Sequence, residues 1–168
     1  ISQEIFNNLI ESYRRIRNTA RFLLANLKGF NPASDIVPNE QLSQIDQYIM
    51  LKLGKLRSRV TNGLDEYEFH QPMTLIHQFC DNELSSFYID VSKDKLYADR
   101  ENSDARRSIR SVMWTVLKYM TQMMSPVLSF TAEEIWQEMR AMDPTLPKSV
   151  FLTDWPESLS TGINPEVE

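Results

Sequence analysis

The sequence is poor in residues that cross-link, bend or flatten a chain. Its one cysteine, Cys80, rules out an internal disulfide and fits a reducing compartment. Four glycines, at positions 29, 54, 63 and 162 of 168, leave nothing from which a phosphate-cradling loop could be built. No apolar run approaches the ~18 residues of a membrane span. Nor is there a cationic start followed by an apolar core and a small-residue cleavage site to direct secretion. The expectation is a soluble, cytoplasmic chain with no membrane partner. His77 and Cys80 lie three apart and could share a helix face, but no second Cys/His pair joins them, so no metal ligand set is expected. Glu133 and Glu134 are adjacent and point in different directions on a helix, which excludes a facing carboxylate pair. No catalytic residue is expected.

Eight methionines and the lack of any long Val/Ile/Thr alternation favour helix over sheet. The predicted fold is an all-α bundle of about five helices with an irregular C-terminal segment. Residues 1–157 form the bundle, and the acidic end 158–168 reads as a linker. A helix is predicted from Gln3 to Lys28, closed by Gly29, with Ile5, Leu9, Ile16, Ala20, Leu23 and Leu27 in one narrow sector. A second helix starts at Ser43, with Asp46 facing back in a capping box, and carries Ile45, Ile49, Leu53, Leu56, Val60 and Leu64 on its core face. A third runs from Pro72 to about Val91 and continues past a bend, with Leu75, Phe79, Ser86 and Ile89 near one face; Asp99 to Ser103 is a loop. The fourth, Asp104 to Met124, buries Ile109, Val112, Val116, Met120 and Met123. The fifth is expected to begin with Thr131 as cap, Glu134 completing a capping box, and Phe130 stapled against Ile135. Beyond Met142 the chain lies back over the bundle on Phe151, Leu152 and Trp155.

On the first helix Arg14, Arg17, Arg21 and Lys28 fall together, well away from the apolar sector. Cations of one sign repel unless something anionic neutralises them, and phosphate is the obvious candidate; a solvated face is the alternative reading. The net charge of −5 does not oppose this. Acidic residues gather at 65–68, 133–138 and the tail, whereas cations gather on the first helix and between Lys93 and Arg110. Salt confines each field to ~8–10 Å. Phe87, Tyr88 and Tyr97 are either core residues or platforms for unpaired bases. Lys93 and Lys95 supply charge beside them.

Tyr13-Arg14-Arg15-Ile16-Arg17-Asn18-Thr19, followed by Arg21-Phe22-Leu23-Leu24, resembles the opening helix of the anticodon-binding domain of class I isoleucyl-tRNA synthetases. Three further stretches are similar to that family. They are Leu84-Ser85-Ser86-Phe87-Tyr88-Ile89-Asp90 with Lys93-Asp94-Lys95-Leu96-Tyr97, Ser125-Pro126 with Phe130 through Trp136, and Trp155-Pro156. The last two are common to valyl, leucyl and isoleucyl enzymes. The first helix discriminates better, since valyl enzymes usually carry Trp where this chain has Arg17. The resemblance implies a domain that holds the anticodon stem and loop of isoleucine tRNA through Arg14, Arg17, Asn18, Arg21, Lys93, Lys95 and Tyr97. It implies the catalytic domain of the same polypeptide as a second partner. The His-x-Gly-His and Lys-Met-Ser-Lys-Ser motifs of nucleotide activation are missing here, as is the terminal cysteine cluster. ATP with magnesium, and zinc, are therefore expected elsewhere in a longer polypeptide, with no cofactor on this part. The equivalent valyl domain and a helical interaction module without an RNA role are the alternatives.

Overall fold

The computed structural model describes residues 2–98 and 103–159. Among these there is no strand, and the long helices are α1 (Gln3–Asn26), α3 (Gln44–Asp65), a continuous rod from His70 to Ala98, α6 (Asp104–Met124) and α7 (Ser129–Met142). A single-turn α2 (Pro32–Asp35) and a 3-10 turn (Asn39–Gln41) link the first two. The expected loop and linker fall largely outside the described residues. Of the linker, only Ser158 and Leu159 are described; Ser158 accepts from the Arg57 guanidinium and Leu159 packs on the core.

Helix α6 is the centre of the bundle, touching α1, α3, both ends of the rod and α7. Fourteen of its residues are buried, among them Met113, Met120, Met123 and Met124, so the methionine-rich face is core filling. The apolar period of three and four places Ile49, Leu53, Leu56 and Val60 of α3 against it. Gly63 is where α3 and the rod approach most closely: a Cβ there would lie 3.0 Å from the Pro72 ring. Pro72 sits one turn inside the rod, which begins at His70.

That rod is α4 (His70–Gln78), a π-helical segment (Phe79–Tyr88) and α5 (Ile89–Ala98). Its buried residues Cys80, Leu84, Tyr88, Ser92 and Leu96 recur every four positions. On an α-helix such a row drifts by about 40° per step. The wider π turn, with the Ile89 amide reaching back five residues to Leu84, holds the row on one side. Of the residues expected near one face, Leu75 and Phe79 are buried and Ile89 packs against the core, and Ser86 alone departs from it. Ser86 is exposed and Tyr88 fully buried. Phe87, half-exposed, stands edge-on to the Tyr48 ring 5.6 Å away.

Both ends of α1 differ from the simple periodic expectation. Ile16, Ala20, Leu23 and Leu27 are core, but residues 2–10 are all exposed, including Ile5 and Leu9 at 54% and 63%. The first turns run past the end of the elements that bury the rest. At the other end Gly29 is left-handed (φ 78°), as expected. The α1 carbonyls there are capped by a buried guanidinium from α6: Arg110 donates from Nε to the Asn26 oxygen at 3.0 Å and from Nη2 to that of Lys28, with its plane 5.6 Å from the Phe30 ring. A cation at a helix C-terminus also opposes the negative end of the macrodipole. Replacing it by Met keeps the stem and strands those carbonyls. We expect Arg110→Met to cost about 2 kcal/mol in urea denaturation, the worth of charge-assisted bonds in a dry site. A neutral result would mean that water reaches the α1 terminus.

The start of α7 corrects the predicted cap. The helix begins at Ser129 behind Leu128, with no side-chain cap, and Phe130 is 94% exposed rather than stapled. Thr131 lies inside the first turn, where its hydroxyl pairs with the Tyr13 hydroxyl at 3.1 Å. Glu133 instead accepts from Ser149 Oγ and the Val150 amide, fastening the return segment. That segment is anchored by Val150 and Pro156, both buried, while Phe151 and Leu152 are exposed. Trp155, half-buried, donates from Nε1 to Thr61 at 2.9 Å, and Arg57 and Gln122 donate to backbone carbonyls of Pro156 and Asp154.

Candidate nucleic-acid interface

The polar residues from Tyr13 to Arg21 of α1 lie in three rows. Arg15 turns toward the π segment and pairs with Asp81 at 3.1 Å. Tyr13 and Arg17, four apart, face α7, where Arg17 reaches Glu134 at 3.8 Å. Arg14, Asn18 and Arg21 follow i, i+4, i+7 spacing along the outer side, and all three are exposed. Arg14 pairs with Glu11 at 2.8 Å within its own helix. Asn18 and Arg21 make no hydrogen bond or ion pair with another described residue. So most of the arginines expected to need an external anion already have an internal one. Those pairs are solvent-exposed, worth about 0–1 kcal/mol each, and a phosphate can displace them.

The second group lies on α5. Lys93 pairs with Asp90 at 2.6 Å, and that bond raises its pKa. Lys95 is exposed, and Tyr97, 66% exposed, presents an open ring. Tyr88 cannot stack on a base, because it is buried and its hydroxyl donates to Asp46. Arg110 is likewise withdrawn from the expected basic surface, and Arg107 donates to the Ser34 carbonyl. Helix α5 packs on the π segment and α6, and α1 packs on these two as well as on α4 and α7.

Asp46 faces back to Ser43 as expected, and it does more than close the α3 cap. It is 2% exposed, and its carboxylate accepts from Tyr88 at 2.5 Å, Ser108 at 2.6 Å and Ser43 at 2.7 Å. Ser43 does cap α3, as its hydroxyl accepts from the Asp46 amide, but the carboxylate ties α3 to the π segment and α6. Cys80 is a packed thiol: burial pushes its pKa up to about 12. Among the described residues no group of three or more His, Cys, Asp or Glu could hold a metal ion. No helix among the described residues is long and apolar enough to cross a membrane.

The arrangement is that of an all-helical domain whose exposed cations are carried on rigid helix faces around a dry core, a class suited to holding a polyanion rather than transforming a small substrate. The chain belongs to the family described as the anticodon-binding domain of tRNA ligase, whose model matches residues 46–168. It is 46% identical over 157 residues to an isoleucine–tRNA ligase of Caldicellulosiruptor saccharolyticus, covering 94% of this chain and 17% of that protein. It is 44% identical over all 168 residues to the isoleucine–tRNA ligase of Natranaerobius thermophilus, of which it covers 18%. The Syntrophotalea carbinolica isoleucine–tRNA ligase is 49% identical over 139 residues, 83% of this chain and 15% of that protein. The chain thus spans less than a fifth of the length of these curated relatives. The family match gives the helical interaction module no support, and the relatives' names give none to the valyl alternative. The family match begins at Asp46, so the α1 residues are covered by the full-length relatives alone.

Proposed function

We propose that this chain holds the anticodon stem and loop of isoleucine tRNA, as one part of an isoleucine–tRNA ligase. The observation that carries the reading is the outward row Arg14, Asn18 and Arg21 on a helix fixed at its far end by Arg110, in a chain of the anticodon-binding family. Charged stems on a rigid helix meet phosphates without first ordering a loop, and a neighbouring amide adds hydrogen bonds to sugar or base. Arg17 serves the same backbone where it leaves Glu134. Lys93, Lys95 and the Tyr97 ring form a second contact, with Tyr97 stacking on an unpaired base. In this reading the parent enzyme activates isoleucine with ATP and magnesium in a catalytic domain outside this chain, the zinc site lies elsewhere too, residues 158–168 lead to a further module, and the protein works in the cytoplasm.

Replacing Arg14, Arg17 and Arg21 by Gln tests it. Gln keeps the first two methylenes and a hydrogen-bonding head, so the packing of the stem base is retained while the charge is removed. The triple variant should bind isoleucine tRNA more weakly. Its slope of log affinity against log salt should fall by up to about one per lost phosphate contact, with equal helicity by circular dichroism. Unchanged affinity and slope would assign these arginines to a domain interface.

A further inference from the structure

Two helix ends in this fold use the left-handed backbone region, and they fill it with opposite residues. Past α1 it is Gly29, where a missing Cβ removes the steric conflict. Past α3 it is Tyr67, at φ 60°. The hydrogen bonds there are those of a Schellman motif: the Tyr67 amide donates to the Leu64 carbonyl at 3.1 Å and the Glu68 amide to that of Gly63 at 2.8 Å. A bulky residue is strained in that position, and Gly would allow both bonds without strain. Packing does not account for the ring. Tyr67 is 80% exposed, its hydroxyl bonds to no other described residue, and it stands edge-on, 6.1 Å away, to Phe69, which is itself 49% exposed. The turn is also one-signed. Asp65 and Glu66 are exposed and make no hydrogen bond or ion pair with another described residue, and Glu68 accepts from the Gln71 amide. No Lys or Arg occurs between Arg59 and Lys93.

We infer that the α3–α4 turn is a protein-docking knob that takes an arginine of a partner surface, its guanidinium flat on the open face of the Tyr67 ring and its N–H fork on the Asp65 and Glu66 carboxylates. An exposed aromatic face attracts a cation lying within ~6 Å of its centre, and the Phe69 edge steadies the ring that offers it. Arginine fits both parts of the knob. Its guanidinium is planar and weakly hydrated, so it stacks on a ring and bonds a carboxylate at two points, whereas the lysine ammonium is a strongly hydrated point charge. The residue that the helix end disfavours is then kept for binding. The same carboxylates repel phosphate, so this turn is no extension of the cationic faces of α1 and α5, and the inference stands apart from the RNA-binding reading.

The test is a titration of this chain with a Gly-Ser peptide carrying two arginines, followed by the amide chemical shifts of residues 65–70, beside the same peptide with lysines or with citrullines, and spermidine. The arginine peptide should move these amides saturably, the lysine peptide more weakly, and the citrulline peptide not at all. Tyr67→Gly should weaken the arginine peptide roughly threefold to tenfold and at the same time raise the urea midpoint, because it removes the ring and the strain together. Tyr67→Phe, which keeps the ring, should leave both unchanged. Asp65→Asn with Glu66→Gln should weaken binding and flatten its salt dependence. Lysine or spermidine binding as tightly as arginine, shifts confined to other residues, or an affinity unchanged in Tyr67→Gly would overturn the inference. So would a lower urea midpoint for Tyr67→Gly, which would make the ring a structural element of the turn.

Discussion

Replacing Asp46 by Ala should cost about 3 to 4 kcal/mol in urea denaturation, a large fraction of the stability of a domain this size. The reason is the geometry of what remains. Tyr88 and Ser108 are buried, and each loses the oxygen it donates to. A buried donor without a partner costs ~1–3 kcal/mol, and the void left by the carboxylate adds to it. The three partners sit on the π segment, α6 and the start of α3, so the loss falls on the junction of three elements. Asp46→Asn should cost distinctly less, since its carbonyl can still accept from Tyr88 and its amide can donate to a serine hydroxyl oxygen. A loss below about 1 kcal/mol for the Ala variant would mean that the hydroxyls find water or each other.

How far the fold could be read follows from what each signal measures. Where a helix keeps the 3.6 period through its buried length, as in α3, α6 and the second half of α1, spacing alone locates the core. The rod from His70 to Ala98 broke that reading, because every-four spacing of Cys80, Leu84, Tyr88, Ser92 and Leu96 has meaning only if the turn is widened. The exposed Ile5 and Leu9 show the complementary limit. Amphipathic spacing says which side of a helix is apolar, but not whether anything within this chain covers it. Thr131 and Glu134 had capping-box spacing, yet α7 starts earlier, and both side chains face α1 instead. A local pattern lost to a tertiary contact between residues more than a hundred positions apart.

The candidate site was legible in residue type more than in role. Arg14, Arg17 and Arg21 are exposed, in keeping with their place on the wheel away from the apolar sector, whereas Asn18 comes from the family resemblance alone. Pairing of Arg15 with Asp81 and of Arg17 with Glu134 joins residues far apart in sequence, so no spacing argument could have found it. The same holds for Arg110, which looked like surface charge beside Arg106 and Arg107 but caps α1 from inside the core. Helix α3 carries a cationic run of its own. Residues 47–64 contain four cations and no acid, the same one-signed pattern that drew attention to α1.

Stability should fall on the alkaline side, beginning with Cys80. Burial raises its thiol from an ordinary 9.0 to about 12, helped by the Asp81 charge and opposed by a bond to Thr19 and the Arg15 charge. Below pH 9 the folded and unfolded chains both keep the proton, and the full stability is present. Between pH 9 and 12 the unfolded chain releases the proton while the folded one holds it. Fewer protons on the unfolded state make stability fall as pH rises, by about 1.4 kcal/mol per pH unit and about 4 kcal/mol by pH 12. Tyr88, raised by burial and then by the Asp46 charge, adds a second decline above its ordinary value of 10.0. The interval from pH 9 to 10 therefore isolates the thiol. Cys80→Ala, which has no proton to lose there, should be the less stable protein at pH 8 through lost packing, and its deficit should shrink by about 1.4 kcal/mol as the pH rises to 10. Urea midpoints of both proteins at matched pH decide it. A deficit that stays constant across that interval would show that the Cys80 thiol titrates alike in both states, and that water reaches the layer between α1 and the π segment.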